Sequence, residues 1–89
     1  MRAVITVIGK DMVGILARVS AECAQADVNI LEVTQSILQE MFVMIMMVDI
    51  SKANIPFDQL VNRLVTLGDE QGLKIHVMHE DIFNSMHRI

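Results

Sequence analysis

The run Met41-Phe42-Val43-Met44-Ile45-Met46-Met47-Val48 constrains this chain more than any other stretch. It is eight residues long, far short of the about 20 apolar residues that a membrane-crossing helix needs. Read as a strand over Met41–Ile50, it is apolar at every position except Asp49. Such a strand is covered on both faces and sits inside a sheet rather than at its edge. The remaining sequence must therefore supply neighbours on either side of it, helices over one face, and something over the other.

The neighbours are legible from hydrophobic period. Arg2–Ile8 is rich in Val and Ile and ends at Gly9, the pattern of a strand. Both of its alternate residue sets contain apolar side chains, so it too belongs in the interior. After the loop Gly9–Gly14 a helical period begins. Met12, Ile15, Leu16, Val19, Cys23 and Ala26 recur at steps of three and four, with Arg18, Glu22 and Gln25 on the other side. Asn29–Gln39 is a more polar strand, carrying Glu32, Thr34, Gln35 and Ser36, as suits a sheet edge. The join Gln39-Glu40 lacks the glycine that tight hairpins favour, so a longer loop or one residue at positive φ is expected. Pro56 is placed at the first position of a second helix, where its missing N–H costs nothing. Phe57, Leu60, Val61, Leu64 and Leu67 form that helix's apolar stripe, and Gly72 ends it. Leu73–His79 alternates as a half-exposed strand. Glu80–Ile89 has Ile82, Phe83, Met86 and Ile89 on one helical face.

The order is βαββαβ plus a tail, an α+β fold: residues 1–79 form the domain and residues 80–89 an amphipathic C-terminal tail. Short right-handed crossovers place the first and third strands in the middle, giving a four-stranded antiparallel sheet of order 4-1-3-2. Two helices cover one face. The other face carries Met44, Met46 and Val48, or their alternates, and a monomer rarely leaves so large an apolar patch bare. The tail helix, a partner subunit, or both must cover it.

Length and charge narrow the function. The chain has 89 residues, 53% of them apolar, and a net charge of −4. That is one domain, and a chain so short buries only roughly 60–65% of its unfolded surface, which favours recruiting a second subunit. The acidic balance, the scattered basic residues, and the absence of Trp and Tyr argue against reading a phosphate backbone or stacking bases. Cys23 is the only cysteine, so no intrachain disulfide is possible. With no signal peptide and no membrane span, the chain is expected to be soluble and cytoplasmic, with neither nucleic acid nor membrane as partner.

Few residues promise chemistry. Gly9 and Gly14 have the spacing of a P-loop, but Ile15-Leu16 stands where lysine and a hydroxyl would be needed. His76 and His79 are three apart, so in a strand they point to opposite faces and do not share a metal. Cys23 lies on the first helix's apolar stripe and reads as a core thiol. No catalytic residue, metal or cofactor is implied. The loop Lys10-Asp11-Met12-Val13-Gly14 stands apart. It leads into a helix whose first N–H groups attract carboxylates, and Gly14 lets a ligand or another backbone come close. A plain turn glycine accounts for it equally well.

The stretch from Val7 to Ser20, with its Asp11-Met12-Val13-Gly14-Ile15-Leu16 core, followed by Val28-Asn29-Ile30, resembles the N-terminal signature of ACT domains. The likeness spans nearly the whole chain. The ending Glu80–Ile89 is similar to that of small stand-alone ACT proteins akin to the regulator of the glycine cleavage system. The resemblance implies a ferredoxin-like sandwich, side-by-side dimers through the second strand and first helix, and amino-acid binding at that interface. Carried over, Asp11, Met12, Val13, Gly14 and Ile15 form the loop of the site, and Asn29, Ile30 and Leu31 approach from the partner subunit. With no attached enzyme or DNA-binding domain, the chain would meet whatever protein it regulates in trans, as a homodimer or higher homo-oligomer.

Three functions remain open: a non-catalytic regulatory module binding a small molecule such as an amino acid, a ligand-independent dimerising adaptor, and an acylphosphatase-like enzyme. The last shares the strand order but needs an arginine in the loop after the first strand, where this chain has only Lys10.

Overall fold

A computed structural model describes residues 1–10 and 13–86. The expectations placed on Asp11, Met12, His87, Arg88 and Ile89 lie outside the described residues. The elements are β1 (Arg2–Gly9), α1 (Ile15–Gln25), β2 (Asn29–Leu38), β3 (Met41–Asp49), α2 (Phe57–Gln71), β4 (Lys74–His79) and α3 (Glu80–Met86). The sheet order is β2-β3-β1-β4, and every pairing is antiparallel. This is the expected order, with the two most apolar strands in the centre.

Register settles which side chains face the helices. Ala3, Ile5 and Val7 lie opposite Val48, Met46 and Met44 across the β1–β3 ladder, and all six are fully buried. They meet Val19 and Cys23 of α1 and Leu60 and Leu64 of α2 in one core. Met44, Met46 and Val48 therefore point under the helices. It is their alternates Met41, Val43, Ile45 and Met47 that occupy the outer face, and period 2 alone could not choose between the sets. Leu16, assigned to α1's apolar stripe, is 39% exposed; the sheet receives only Ile15, Val19 and Cys23 from that helix.

The ends of the elements show local chemistry. Pro56 is the N-cap of α2, one residue before the position expected, with ψ 154°: its extended backbone starts the helix from outside. Gly72 closes α2 at φ 72°, and the Leu73 N–H reaches back to the Gly68 carbonyl at 2.7 Å. The β2–β3 hairpin is the two-residue turn Gln39-Glu40 with φ of 50° and 70°. Both residues, not one, are left-handed, because a two-residue turn matching the strands' twist requires it of both positions.

Candidate functional site

Gly14 is the N-cap of α1 at φ 75° and ψ 1°, and, having no side chain, it gives the helix start no side-chain cap of its own. A residue with a Cβ is strained at this φ. Among the described residues beyond its chain neighbours, a Cβ placed there would come no nearer than 3.7 Å, to the Arg18 Nε, so its conformation already favours glycine. The Gly14 carbonyl takes the first helical bond from the Arg18 N–H at 3.0 Å. The first turn contains no acidic residue to offset the partial positive charge of its N–H groups. Val13 projects outward, 87% exposed, while Ile15 is anchored in the core.

The second group of predicted residues lies at the other end of α1. The helix has 11 residues, which at 1.5 Å per residue separates its ends by roughly 16 Å. Within one protomer, then, Val13, Gly14 and Ile15 are not brought together with Asn29, Ile30 and Leu31. Asn29 is exposed at the start of β2 and pairs with Asp49. Ile30 pairs with Val48 and Glu32 with Met47, so Leu31 is the extra residue of a β-bulge and is 46% exposed. Nothing in the local sequence announced this bulge, which throws Leu31 out of the strand's alternation. A cleft of about 240 Å³ beside Asn29 is lined by Asp27, Asp49, Ser51 and Lys52. The hydroxyl and then the backbone N–H of Ser51 hold the Asp49 carboxyl below its ordinary pKa.

Sequence reasoning missed Asn54. Its side-chain amide donates to the Gln25 carbonyl at 2.9 Å and to Asp27 Oδ2 at 3.0 Å, and its backbone N–H donates to the Ala26 carbonyl at 2.9 Å. These bonds pin the turn at which Asp27 adopts φ 56°, two residues before Asn29. The partners lie 27 to 29 positions away in sequence, so no local pattern reveals them. Asn54→Ala is expected to cost about 1–2 kcal/mol, with two side-chain bonds lost near solvent, read as a lower urea midpoint.

The remaining candidates fall into structural roles. His76 lies opposite Thr6 and His79 opposite Ala3, on the two different faces. His79 stacks on Phe57 with ring centroids 4.3 Å apart. Cys23 is buried, and burial, reinforced by the Glu22 charge, pushes its thiol from 9.0 up to about 11. Two outcomes are expected. At pH 8 roughly a thousandth of the thiol is ionised, so alkylation runs at least about 100-fold slower than for a denatured control. Because the folded state holds the proton more tightly, Cys23's contribution is intact below pH 9.0 and declines towards about 11. A Cys23→Ala variant would lack that part of the alkaline decline in urea titrations. Among the described residues no cluster of three potential metal ligands occurs, and no helix is long and apolar enough to cross a membrane.

Comparison with known proteins agrees with this fold. The family model for the ACT domain matches residues 2–78. A UPF0237 protein of Listeria innocua serovar 6a is 48% identical over 89 residues, covering 100% of both chains. An ACT domain protein from Streptococcus pneumoniae superposes with a TM-score of 0.82 at 37% identity, covering 93% of each chain. A chain described as a candidate glycine cleavage system transcriptional repressor superposes at 0.70 with 27% identity, covering 85% of this chain and 43% of that one. The chain belongs to the ACT domain family, a family of regulatory modules that often bind amino acids.

Proposed function

We propose that the chain is a non-catalytic sensor that binds a small zwitterion, most simply an amino acid, where two copies meet. The observation that carries this reading is the start of α1 at left-handed Gly14, with no acidic residue in the helix's first turn. Its outward N–H groups suit a carboxylate, and the loop before it carries Asp11, an anion suited to an ammonium.

The sheet's directions supply the missing half. β1 and β2 both run antiparallel to β3, so they are parallel to each other. Gly9 and Leu38 share the Phe42/Met41 end of the sheet, and Asn29 marks the Asp49 end. β2 is an edge strand with unpaired backbone groups available to another edge. Pairing two β2 edges about a two-fold axis brings the partner's Asn29 to the end where Gly14 lies. The same pairing covers Leu31, Ile37 and Leu38, which are 46%, 63% and 68% exposed. In this reading Ile30 and Leu31 flank the ligand from the partner's side, and the Asn29 amide orients it.

Each charge-assisted bond nets about 1.5–3 kcal/mol. Two or three of them, less the cost of immobilising the ligand, give dissociation constants from about mM to tens of µM. Calorimetry or ligand-observed NMR with the common amino acids is expected to find one that binds in this range. Asn29→Ala should weaken it at least about tenfold. Absence of binding by every amino acid would leave the β2 edge as a dimerisation surface and favour the adaptor function instead.

A further inference from the structure

We propose a second self-association surface: the sheet's outer face around Ile45, on which α3 of another copy of this chain docks. It is independent of the β2 edge and of any ligand.

The outer face is built in rows. Val4 lies between Met47 and Met78, Thr6 between Ile45 and His76, and Ile8 between Val43 and Lys74. Thr34 and Ser36 extend the last two rows on β2. Burial differs at the centre of these rows, while Met47, Met78, Thr6, Ile8 and Val43 are all half-buried. Val4 points away from α1 and α2 and is not part of their core, yet it is 1% exposed. The element packed beside it is α3, which lies against β1 and β4 and is tied down where Arg2 grips Glu80, with Nη2 2.6 Å from Oε1 and Nε on Oε2. Ile45, in the next row, is 36% exposed. Among the described residues, one short helix therefore covers the Val4 row and leaves Ile45 exposed.

The occupant follows from α3 itself. Phe83 is half-buried, whereas Ile82 and Met86 are 52% and 66% exposed. The same face thus presents an apolar ridge and, next to it, an apolar bed of Ile8, Val43 and Ile45. A two-fold axis in the plane of the sheet lets each ridge lie on the other copy's bed, the self-complementary arrangement that closed symmetry requires. Charge agrees. α3 starts with Glu80 and the exposed Asp81; the open rows carry Lys74 and His76 at the β4 side and no acidic residue. Area is sufficient as well: the molecule is a slab of 35 × 34 × 19 Å, and its broad face exceeds the about 800 Å² that each partner contributes to a stable interface. Used with the β2 edge, this contact gives assemblies of four chains.

Light scattering and native mass spectrometry on the full chain test it. Ile45→Glu and Ile82→Glu, on opposite sides of the contact, are each expected to halve the wild-type mass at tens of µM, with unchanged circular dichroism. Lys74→Glu should raise the dissociation constant of the larger species at least about tenfold, and adding Asp81→Lys should restore it. Both of these residues are exposed, so the charge swap tests the contact even where a glutamate in the sheet disturbs folding. A wild-type chain that stays monomeric at 100 µM overturns the proposal. So does a mass that none of these variants alters, which would leave the face to a different partner.

Discussion

Leu64→Ala is expected to lower the unfolding free energy by about 3–4 kcal/mol. Leu64 is fully buried in the middle of α2's inner stripe, within the core shared with Val19, Met44 and Met46. Truncation loses the transfer free energy of the removed carbons and leaves a cavity that the rigid sheet beneath cannot fill. A domain of 89 residues has only roughly 5–13 kcal/mol in total, so this single change removes a large share. The midpoint of thermal unfolding should fall by roughly 15–25 °C. Val65, the next residue, is 37% exposed, and Val65→Ala should shift stability by less than about 0.5 kcal/mol. Urea titrations at equal m-values compare the two; similar losses for both would mean that α2 does not pack on the sheet through Leu64.

The second large effect has the opposite sign. The hairpin turn holds Gln39 at φ 50° and Glu40 at φ 70°. Left-handed backbone costs an ordinary L-residue about 1–2 kcal/mol, less for asparagine and little for glycine. Combining Gln39→Asn with Glu40→Gly installs the pair that such turns prefer. It is expected to raise stability by about 1–2 kcal/mol without moving the register that sets Leu38 opposite Met41. The raised urea midpoint should come with an unchanged slope. Turn strain would be refuted by a double variant no more stable than the wild type.

These two sites differ in how far the sequence foretold them. Leu64 announces itself, since residues three and four apart on a helix share a face, and apolar residues recur there. The hairpin was visible as a join without glycine, but the number of left-handed residues depends on how two strands align, which is a property of the pair. The same distinction runs through the candidate site. Gly14 stands out because it precedes a helical period and follows a strand. Asn54 does not, because its value lies in bonds to Gln25 and Asp27, which folding alone brings near. The bulge at Leu31 is likewise invisible along one strand, since it exists only relative to β3.

By itself the sequence determined the element order and the central strands. Both follow from short-range rules: the 2.0 and 3.6 residue periods, and the need to place a strand such as Met41–Ile50, apolar on both faces, inside the sheet. Tertiary structure alone decided which alternate set faced the helices, that α3 shields Val4 while Ile45 stays open, and that Gly14 and Asn29 lie at opposite ends of α1. Those outcomes rest on register and on contacts between residues far apart in the chain, where one residue's environment is set by another's position and not by its neighbours' identities.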